Sequence, residues 1–218
     1  MLDKYKLIGR SYDFLSKLYS GNAIINCKLS MLNEHTIKPN SKVLFAGAGQ
    51  GRDVLRAAEL GANVTMIDIS PTMMNKFNQL RAAHPENEQL KIQTVLGDIL
   101  KQEDFGEYDM VVSNFFLNVF DEDKMNTLLS HLLKLCRQNG HIIIGDFSPP
   151  HGGLLKKTVQ QVYWYSAATA FFAIAGNAIH SIYDYRKILN NKGLEIKDEM
   201  FFPFLGQNFY HSIMAKKV

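Results

Sequence analysis

The middle of the chain alternates short apolar runs with longer segments of helical periodicity, a pattern typical of parallel βαβ units. The apolar runs predict five strands, with the sequences SKVLFAG, NVTMIDI, KIQTVLGDI, YDMVVSNFF and HIIIGDF. Helices are predicted at RDVLRAAEL, SPTMMNKFNQLRAAH and DEDKMNTLLSHLLKLCRQNG, and the last is expected to end at Gly140. Ser70 is a candidate N-cap, followed by Pro71 in the first helical position.

The pattern changes after the fifth predicted strand. An aromatic segment at 151–185 interrupts the alternation, and YDYRKILNNKG then predicts a helix ending at Gly193. LEIKDEMFFPF and NFYHSIMAKK follow as two strands, and the short turn Leu205-Gly206-Gln207 between them favours antiparallel pairing. The sequence therefore predicts an α/β fold with a Rossmann-like, seven-stranded mixed sheet in a single domain.

Composition narrows the class of protein. The chain has 218 residues, of which 46% are hydrophobic, so it is long enough to bury one large core. The net charge of +3 is too small and too dispersed to indicate nucleic-acid binding. Cys27 and Cys136 lack metal-ligand spacing and are expected to be free thiols. The segment MLDKYKLIGRSYDF has no apolar stretch of signal length, which favours a cytoplasmic protein.

An uncharged stretch at 162–179 lies at the lower limit of length for a membrane span. Polar residues within it favour a buried or substrate-covering helix pair instead. Such an apolar element would also suit peripheral contact with the inner membrane surface.

A glycine-rich turn, GAGQG at 47–51, directly follows the first predicted strand. Ligands of open α/β sheets bind at the carboxyl ends of the strands, and glycines there let a ligand approach the main chain. Asp68, at the end of the second strand, is placed to accept hydrogen bonds from a ribose. Nicotinamide dinucleotides and S-adenosylmethionine both fit these two features. Arg52 stands where a dinucleotide turn has its last glycine, which disfavours the dinucleotide.

Taken together, these motifs resemble class I S-adenosylmethionine-dependent methyltransferases. VLFAGAGQG is similar to their first motif, VTMIDIS to the second, LGDI to the third and YDMVVSNFFLNVF to the fourth. The resemblance implies S-adenosylmethionine as cofactor, with Asp68 at the ribose, Asp98 at the adenine, and Asn114 at the methionine side. The full set of residues expected to bind the cofactor is Gly47, Ala48, Gly49, Gly51, Asp68, Ile69, Asp98, Ile99, Asn114 and Leu117. Asp98 has an alternative role as a turn cap.

The resemblance also divides the chain into regions. RSYDFLSKLYSG is loosely similar to the N-terminal helix of the ubiquinone/menaquinone C-methyltransferase group, in which a Tyr-Asp pair, here Tyr12-Asp13, folds over the cofactor. The expected regions are a helical lid at 1–38, a cofactor-binding core at 39–150, a substrate lid at 151–185, and a terminal helix and hairpin at 186–218.

One residue departs from the family pattern. Many members carry an acid two residues before the first glycine, where this chain has Phe45. Asp53 or the backbone of Gly47 could replace that acid.

Candidate catalytic residues lie mainly in the inserted segment, and they are His151, His180, Tyr183 and Tyr185, with Tyr12 from the N-terminal helix. A proton acceptor is needed when the methyl acceptor is a phenol or a ring carbon. We select His180, Tyr183 and Tyr12, because His180 and Tyr183 would share a helix face at i and i+3. No metal site is expected, since Asp146 and Asn118 have no third partner. The SPPH sequence at 148–151 is interpreted as a loop rather than a base-methylation motif.

The aromatic content of the insert and of the last two strands favours a small hydrophobic or aromatic acceptor, with a prenylated quinone or a lipid as specific hypotheses. Three alternatives stay open. The first is an enzyme that binds S-adenosylmethionine without transferring a methyl group. The second is a non-catalytic partner in a lipid-modifying complex, and the third is a dinucleotide oxidoreductase.

Overall fold

The computed structural model describes residues 20–218, so the predicted catalytic Tyr12 and most of the predicted helical lid lie outside the described residues. The described chain forms one seven-stranded sheet with the order β3-β2-β1-β4-β5-β7-β6. Its strands are β1 (Lys42–Ala46), β2 (Asn63–Asp68), β3 (Ile92–Leu96), β4 (Tyr108–Asn114), β5 (Cys136–Phe147), β6 (Leu194–Phe204) and β7 (Gln207–Lys217). Strands β1–β5 pair in parallel, and β7 runs antiparallel to both neighbours. The predicted mixed sheet is confirmed.

Helices cover both faces of the sheet. They are α1 (Ala23–Leu29), α2 (Arg52–Glu59), α3 (Pro71–Ala82), α4 (Glu122–Leu135), α5 (Leu154–Ala175) and α6 (Tyr185–Asn191). One hydrophobic cluster joins α4 and α6 to one face of the sheet, and a second joins α2 and α3 to the other. Strand order reverses between β1 and β4, which places a ligand crevice at the carboxyl ends of these two strands.

Several local predictions are confirmed. The Ser70 hydroxyl accepts a hydrogen bond from the Met73 N–H at 3.2 Å, which caps α3. At the β6–β7 hairpin, Leu205 and Gly206 have φ values of 48° and 72°, as a two-residue turn between antiparallel strands requires. Cys27 and Cys136 are buried free thiols.

The predicted end of α4 is wrong. The helix stops at Leu135, and Cys136 already belongs to β5, where it pairs with Tyr108 of β4. Gly140 does not cap the helix, because it lies within β5 beside Asn139, whose φ is 62°. The pairing with β4 shifts its register at this point, so tertiary strand pairing overrides the local stop signal.

The inserted segment forms one long helix rather than the predicted pair. Helix α5 follows the SPPH segment, which is a loop as predicted, and residues 176–184 contain no regular secondary structure. Among the described residues, no helix is both long enough and apolar enough to cross a membrane. A third hydrophobic cluster joins α1 and α5 to the adjoining ends of β5 and β7.

Candidate active site

The glycine-rich turn leaves the carboxyl end of β1 in an unusual conformation. Gly47, Gly49 and Gly51 have φ values of 63°, 61° and 69°, in the left-handed region that favours glycine. The Gly47 N–H donates to the Ile67 carbonyl at 2.9 Å, and the Gly51 N–H donates to the Ala48 carbonyl at 3.1 Å. The turn is therefore tied to β2 and closed on itself before α2 begins.

The three glycines differ in what surrounds them. A Cβ atom on Gly47 would lie less than 3.0 Å from the Phe116 ring, and one on Gly51 would lie as close to the Phe77 ring. A Cβ atom on Gly49 would meet no heavy atom of the described residues within 4 Å. Packing within the protein thus explains two of the glycines, whereas Gly49 faces open space at the carboxyl edge of the sheet.

Asp68 links this turn to β2. Its carboxylate accepts hydrogen bonds from the Gly49 N–H at 3.0 Å and from the Ser70 N–H at 2.8 Å, one on each oxygen. A carboxylate at this position is suited to accept hydrogen bonds from both hydroxyls of a ribose. Ile69 beside it is 46% exposed, which leaves an apolar surface next to the carboxylate.

The backbone next to Asp98 is hydrogen-bonded to Asp68, because the Gly97 N–H donates to the Asp68 carbonyl at 3.0 Å. One oxygen of Asp98 accepts from the Leu100 N–H at 3.0 Å and caps a short 3₁₀ turn. The capping role is therefore present, and the adenine contact remains a prediction. The side chain of Ile99 is buried in the core, which leaves it little surface to offer a ring.

A buried polar pair lies behind the glycine turn. The Asn114 amide, at the end of β4, donates to Asp53 Oδ2 at 2.9 Å and to the Lys28 carbonyl at 3.3 Å. Asp53 and Asn114 are 1% and 3% exposed. Among residues 20–218, Asp53 Oδ1 and Asn114 Oδ1 have no hydrogen-bond partner. Both residues are therefore under-satisfied, which is uncommon for buried polar groups.

The remaining predicted cofactor residues contribute less side-chain surface. Ala48 and Leu117 are 3% and 0% exposed and belong to hydrophobic clusters. Their side chains pack in the core, so their backbone atoms are what a ligand could reach. Phe45, at the position of the family acid, is likewise buried among core residues.

His180 and Tyr183 come together, although not on a helix. Their rings stack at 4.2 Å between centroids within the irregular segment, so the predicted i, i+3 helical spacing is wrong. The His180 ring nitrogens lie 2.7 Å from the Ser181 carbonyl and 2.9 Å from the Asn118 carbonyl. Tyr183 donates its hydroxyl to the Phe120 carbonyl at 2.9 Å. Both side chains hold the segment after α5 against the turn that follows β4.

Asp146, near the end of β5, is indicated by the sequence only as a candidate metal ligand. It is 1% exposed, and its two oxygens accept from the Phe147 N–H at 2.8 Å and the Tyr185 hydroxyl at 2.7 Å. Burial raises the pKa of Asp146 to about 7, against a smaller opposite effect of the Tyr185 hydrogen bond. In the sequence, an acid at the end of a buried apolar strand is the feature that could have indicated a carboxyl group with a raised pKa.

The Asp146 pKa predicts a pH-dependent stability. The pKa of Asp146 in the folded protein lies above its value of about 3.9 in the unfolded chain. Burial of the protonated carboxyl therefore costs no stability below about pH 4, and the free energy of unfolding falls as the pH rises from there through about 7. Between about pH 5 and pH 8, the parent should lose about 2–3 kcal/mol of unfolding free energy relative to Asp146→Asn. Urea unfolding at both pH values measures this difference. A difference that stays constant with pH contradicts the assignment, and Tyr185→Phe should move the loss to higher pH.

Asp146 also lines a small gap at the carboxyl edge of β5. The other lining residues are Asn118, Phe147, Trp164, His180, Ile182, Tyr183 and Tyr185. Asn118 and Asp146 thus approach one another, but the described residues contain no group of three His, Cys, Asp or Glu side chains that could hold a metal ion.

Aromatic side chains from α5 and β7 close this edge of the sheet. Trp164 packs against Phe147 at 4.6 Å between centroids, and Tyr163 stacks on Phe209 at 4.0 Å. The Tyr163 and Tyr210 hydroxyls lie 2.6 Å apart. We call Phe147, Tyr163, Trp164, Phe209 and Tyr210 the aromatic wall.

A larger open concavity of about 740 Å³ lies at the opposite edge of the sheet. Lys42, Asn63, Ile92 and Tyr108 line it, near the amino ends of their strands. Because ligands of open α/β sheets bind at the carboxyl ends, we do not place the active site there.

Comparison with known proteins finds similarity to methyltransferases. Residues 44–142 match the family model described as a methyltransferase domain. The matched region runs from β1 into β5 and contains the glycine turn, Asp68, Asp98 and Asn114. The chain is 27% identical over 132 residues to TehB of Haemophilus influenzae, described as a probable S-adenosyl-L-methionine-dependent methyltransferase. That alignment covers 61% of this chain but only 44% of TehB.

Solved structures show the same fold. The 1,6-didemethyltoxoflavin-N1-methyltransferase of Burkholderia thailandensis, with bound S-adenosylhomocysteine, superposes with a TM-score of 0.65 at 18% identity, covering 100% of this chain and 91% of that one. The geranyl diphosphate C-methyltransferase of Streptomyces coelicolor A3(2) superposes with a TM-score of 0.59 at 15% identity, covering 87% and 75%. The fold is that of class I methyltransferases.

Proposed function

We propose that this protein transfers a methyl group from S-adenosylmethionine to a small hydrophobic or aromatic acceptor. The observation that carries the proposal is the open space over Gly49 beside the Asp68 carboxylate. The ribose would bind Asp68, and the adenine would lie between Ile69 and Asp98. The chain's similarity to a methyltransferase family and to structures holding S-adenosylhomocysteine supports this cofactor.

On the acceptor side, the aromatic wall supports a lipophilic or aromatic substrate. The gap beside Asp146 has about 0 Å³ of room for a water-sized sphere, whereas small-molecule pockets have roughly 300–1,000 Å³. Acceptor entry therefore requires α5 or residues 176–184 to move. Prenylated quinones and lipids are the acceptor classes we propose to test first. The same hypothesis places the protein in the cytoplasm, in peripheral contact with the membrane that holds such acceptors.

Methyl transfer from a sulfonium mainly requires that the acceptor atom, the methyl carbon and the sulfur are aligned and that water is excluded. We propose that His180 and Tyr183 help to exclude water by holding the segment after α5 over the site, with Tyr12 contributing from the N-terminal segment. If the acceptor must lose a proton, Asp146 lines the same gap and has a pKa of about 7, suited to a proton acceptor at neutral pH.

The test combines the purified protein with trideuteriomethyl S-adenosylmethionine and separate panels of prenylated quinones, phospholipids and small phenols. Mass spectrometry follows both the labelled product and S-adenosylhomocysteine. We expect S-adenosylhomocysteine to form together with a labelled lipophilic product. Tight cofactor binding with no S-adenosylhomocysteine on any panel would contradict the proposal and favour an enzyme that does not transfer methyl, the alternative that Phe45 motivates.

A further inference from the structure

Asp53 is a buried carboxylate with too few partners. It is 1% exposed and, within the part of the chain that the structure describes, accepts one hydrogen bond, from the Asn114 amide, while its Oδ1 atom has no partner. Within residues 20–218, no Lys, Arg or His side chain forms an ion pair with it. A buried carboxylate is costly unless a cation or several donors compensate it.

Helix α2 gives only part of that compensation. Asp53 lies in its first turn, where the helix dipole favours negative charge. This effect is much smaller than the cost of removing a carboxylate from water. The under-satisfied oxygen therefore points to a cationic ligand that binds here.

Asp53 also lies where the carboxyl edge of β1 would otherwise present no negative charge to a ligand. Phe45 and Val112 are register partners on β1 and β4, and Asn114 lies two residues further along β4 on the same face of the sheet. The Asp53 carboxylate contacts Asn114, so it lies near the carboxyl edge of the face that Phe45 occupies. Phe45 offers no charge on this face of β1, and the carboxylate near its carboxyl edge comes from Asp53 at the start of α2.

We infer that Asp53 binds the α-ammonium group of the cofactor's methionine moiety, with Asn114 holding the carboxylate in place. The inference rests on the proposed function for the identity of the cofactor. Asp53 is a binding residue in this view, and Asn114 is a positioning residue. No bond forms or breaks at this subsite.

The test is the Asp53→Asn protein, because an Asn side chain has the same shape without the charge. Its amide could donate to the unpartnered Asn114 Oδ1 while its oxygen accepts from the Asn114 amide, so the variant should fold at least as stably as the parent without ligand. A purely structural role for the charge predicts the opposite, a loss of stability. Thermal unfolding without ligand separates the two.

Affinity is measured by calorimetry for two ligands, S-adenosylmethionine and 5′-methylthioadenosine, which lacks the amino-acid moiety. We expect Asp53→Asn to bind S-adenosylmethionine about 10- to 100-fold more weakly, as for a lost charge-assisted hydrogen bond, and 5′-methylthioadenosine unchanged. Asp123→Asn, which removes an exposed acid from the first turn of α4, is the matched control and should change neither.

The outcomes distinguish the role of Asp53 from the identity of the cofactor. If the parent binds both ligands and Asp53→Asn weakens both equally or neither, the role of Asp53 is overturned while the proposed cofactor stands. If the parent binds neither ligand, the proposed function falls, and the role of Asp53 falls with it.

Discussion

Asp68→Ala is expected to bind S-adenosylmethionine roughly 10²- to 10⁴-fold more weakly than the parent. Each hydrogen bond from a ribose hydroxyl to this carboxylate is worth about 1.5–3 kcal/mol, and the variant loses two of them. It also loses the contact that holds the Gly49 N–H at 3.0 Å, so the turn beneath the cofactor is less well fixed. Isothermal titration calorimetry gives the dissociation constant directly.

A ligand control distinguishes ribose binding from disturbance of the turn. The parent should bind the 2′,3′-dideoxy analogue of S-adenosylhomocysteine much more weakly than S-adenosylhomocysteine itself, whereas Asp68→Ala should hardly distinguish them. An Asp68→Ala protein that binds S-adenosylmethionine as tightly as the parent would remove the ribose assignment.

Gly51→Ala is expected to lose about 3 kcal/mol of unfolding free energy. An alanine at a φ of 69° costs about 1–2 kcal/mol, and its Cβ would overlap the fully buried Phe77 ring, which adds about 1–3 kcal/mol. Urea unfolding measures the change. Phe77→Leu in the same background should recover part of the loss, because it removes the ring that the new methyl group meets.

Gly49→Ala is the matched variant in the same turn. It carries the backbone cost alone, about 1–2 kcal/mol, because its Cβ would meet nothing within 4 Å. Its methyl group would occupy the space assigned to the cofactor, so affinity should fall although the fold persists. Equal destabilisation by the two variants would contradict the clash with Phe77, and normal cofactor affinity in Gly49→Ala would show that the open space is not the binding site.

The sequence was sufficient where the relevant signal is local. Ser70 and Pro71 mark the start of α3, and the pair Leu205-Gly206 marks the final hairpin. The glycine turn and Asp68 follow from their places at the ends of two successive strands, because parallel strands bring their carboxyl ends to one edge.

The sequence was insufficient where distant contacts decide. The Asn139-Gly140 pair resembles a helix stop, but pairing of Cys136 with β4 begins the strand four residues before Gly140. His180 and Tyr183 meet by stacking in an irregular segment, which no periodicity predicts.

The polar pairs of the site are also non-local. Asp53 contacts Asn114 across 61 residues of sequence, and Asp146 contacts Tyr185 across 39. Burial raises the pKa of Asp146, and burial depends on the packing of α6 and β7 around it. The sequence indicates both Tyr183 and Tyr185 as candidates and favours Tyr183, whereas Tyr185 makes the contact with Asp146.

The most direct test is a crystal structure of the protein with S-adenosylhomocysteine. We predict the ligand over Gly49, with its ribose hydroxyls on Asp68 and its ammonium group on Asp53. S-Adenosylhomocysteine bound elsewhere, or no binding at concentrations that saturate methyltransferases of this fold, would contradict the assignment of the glycine turn and Asp68 as a methyl-donor site.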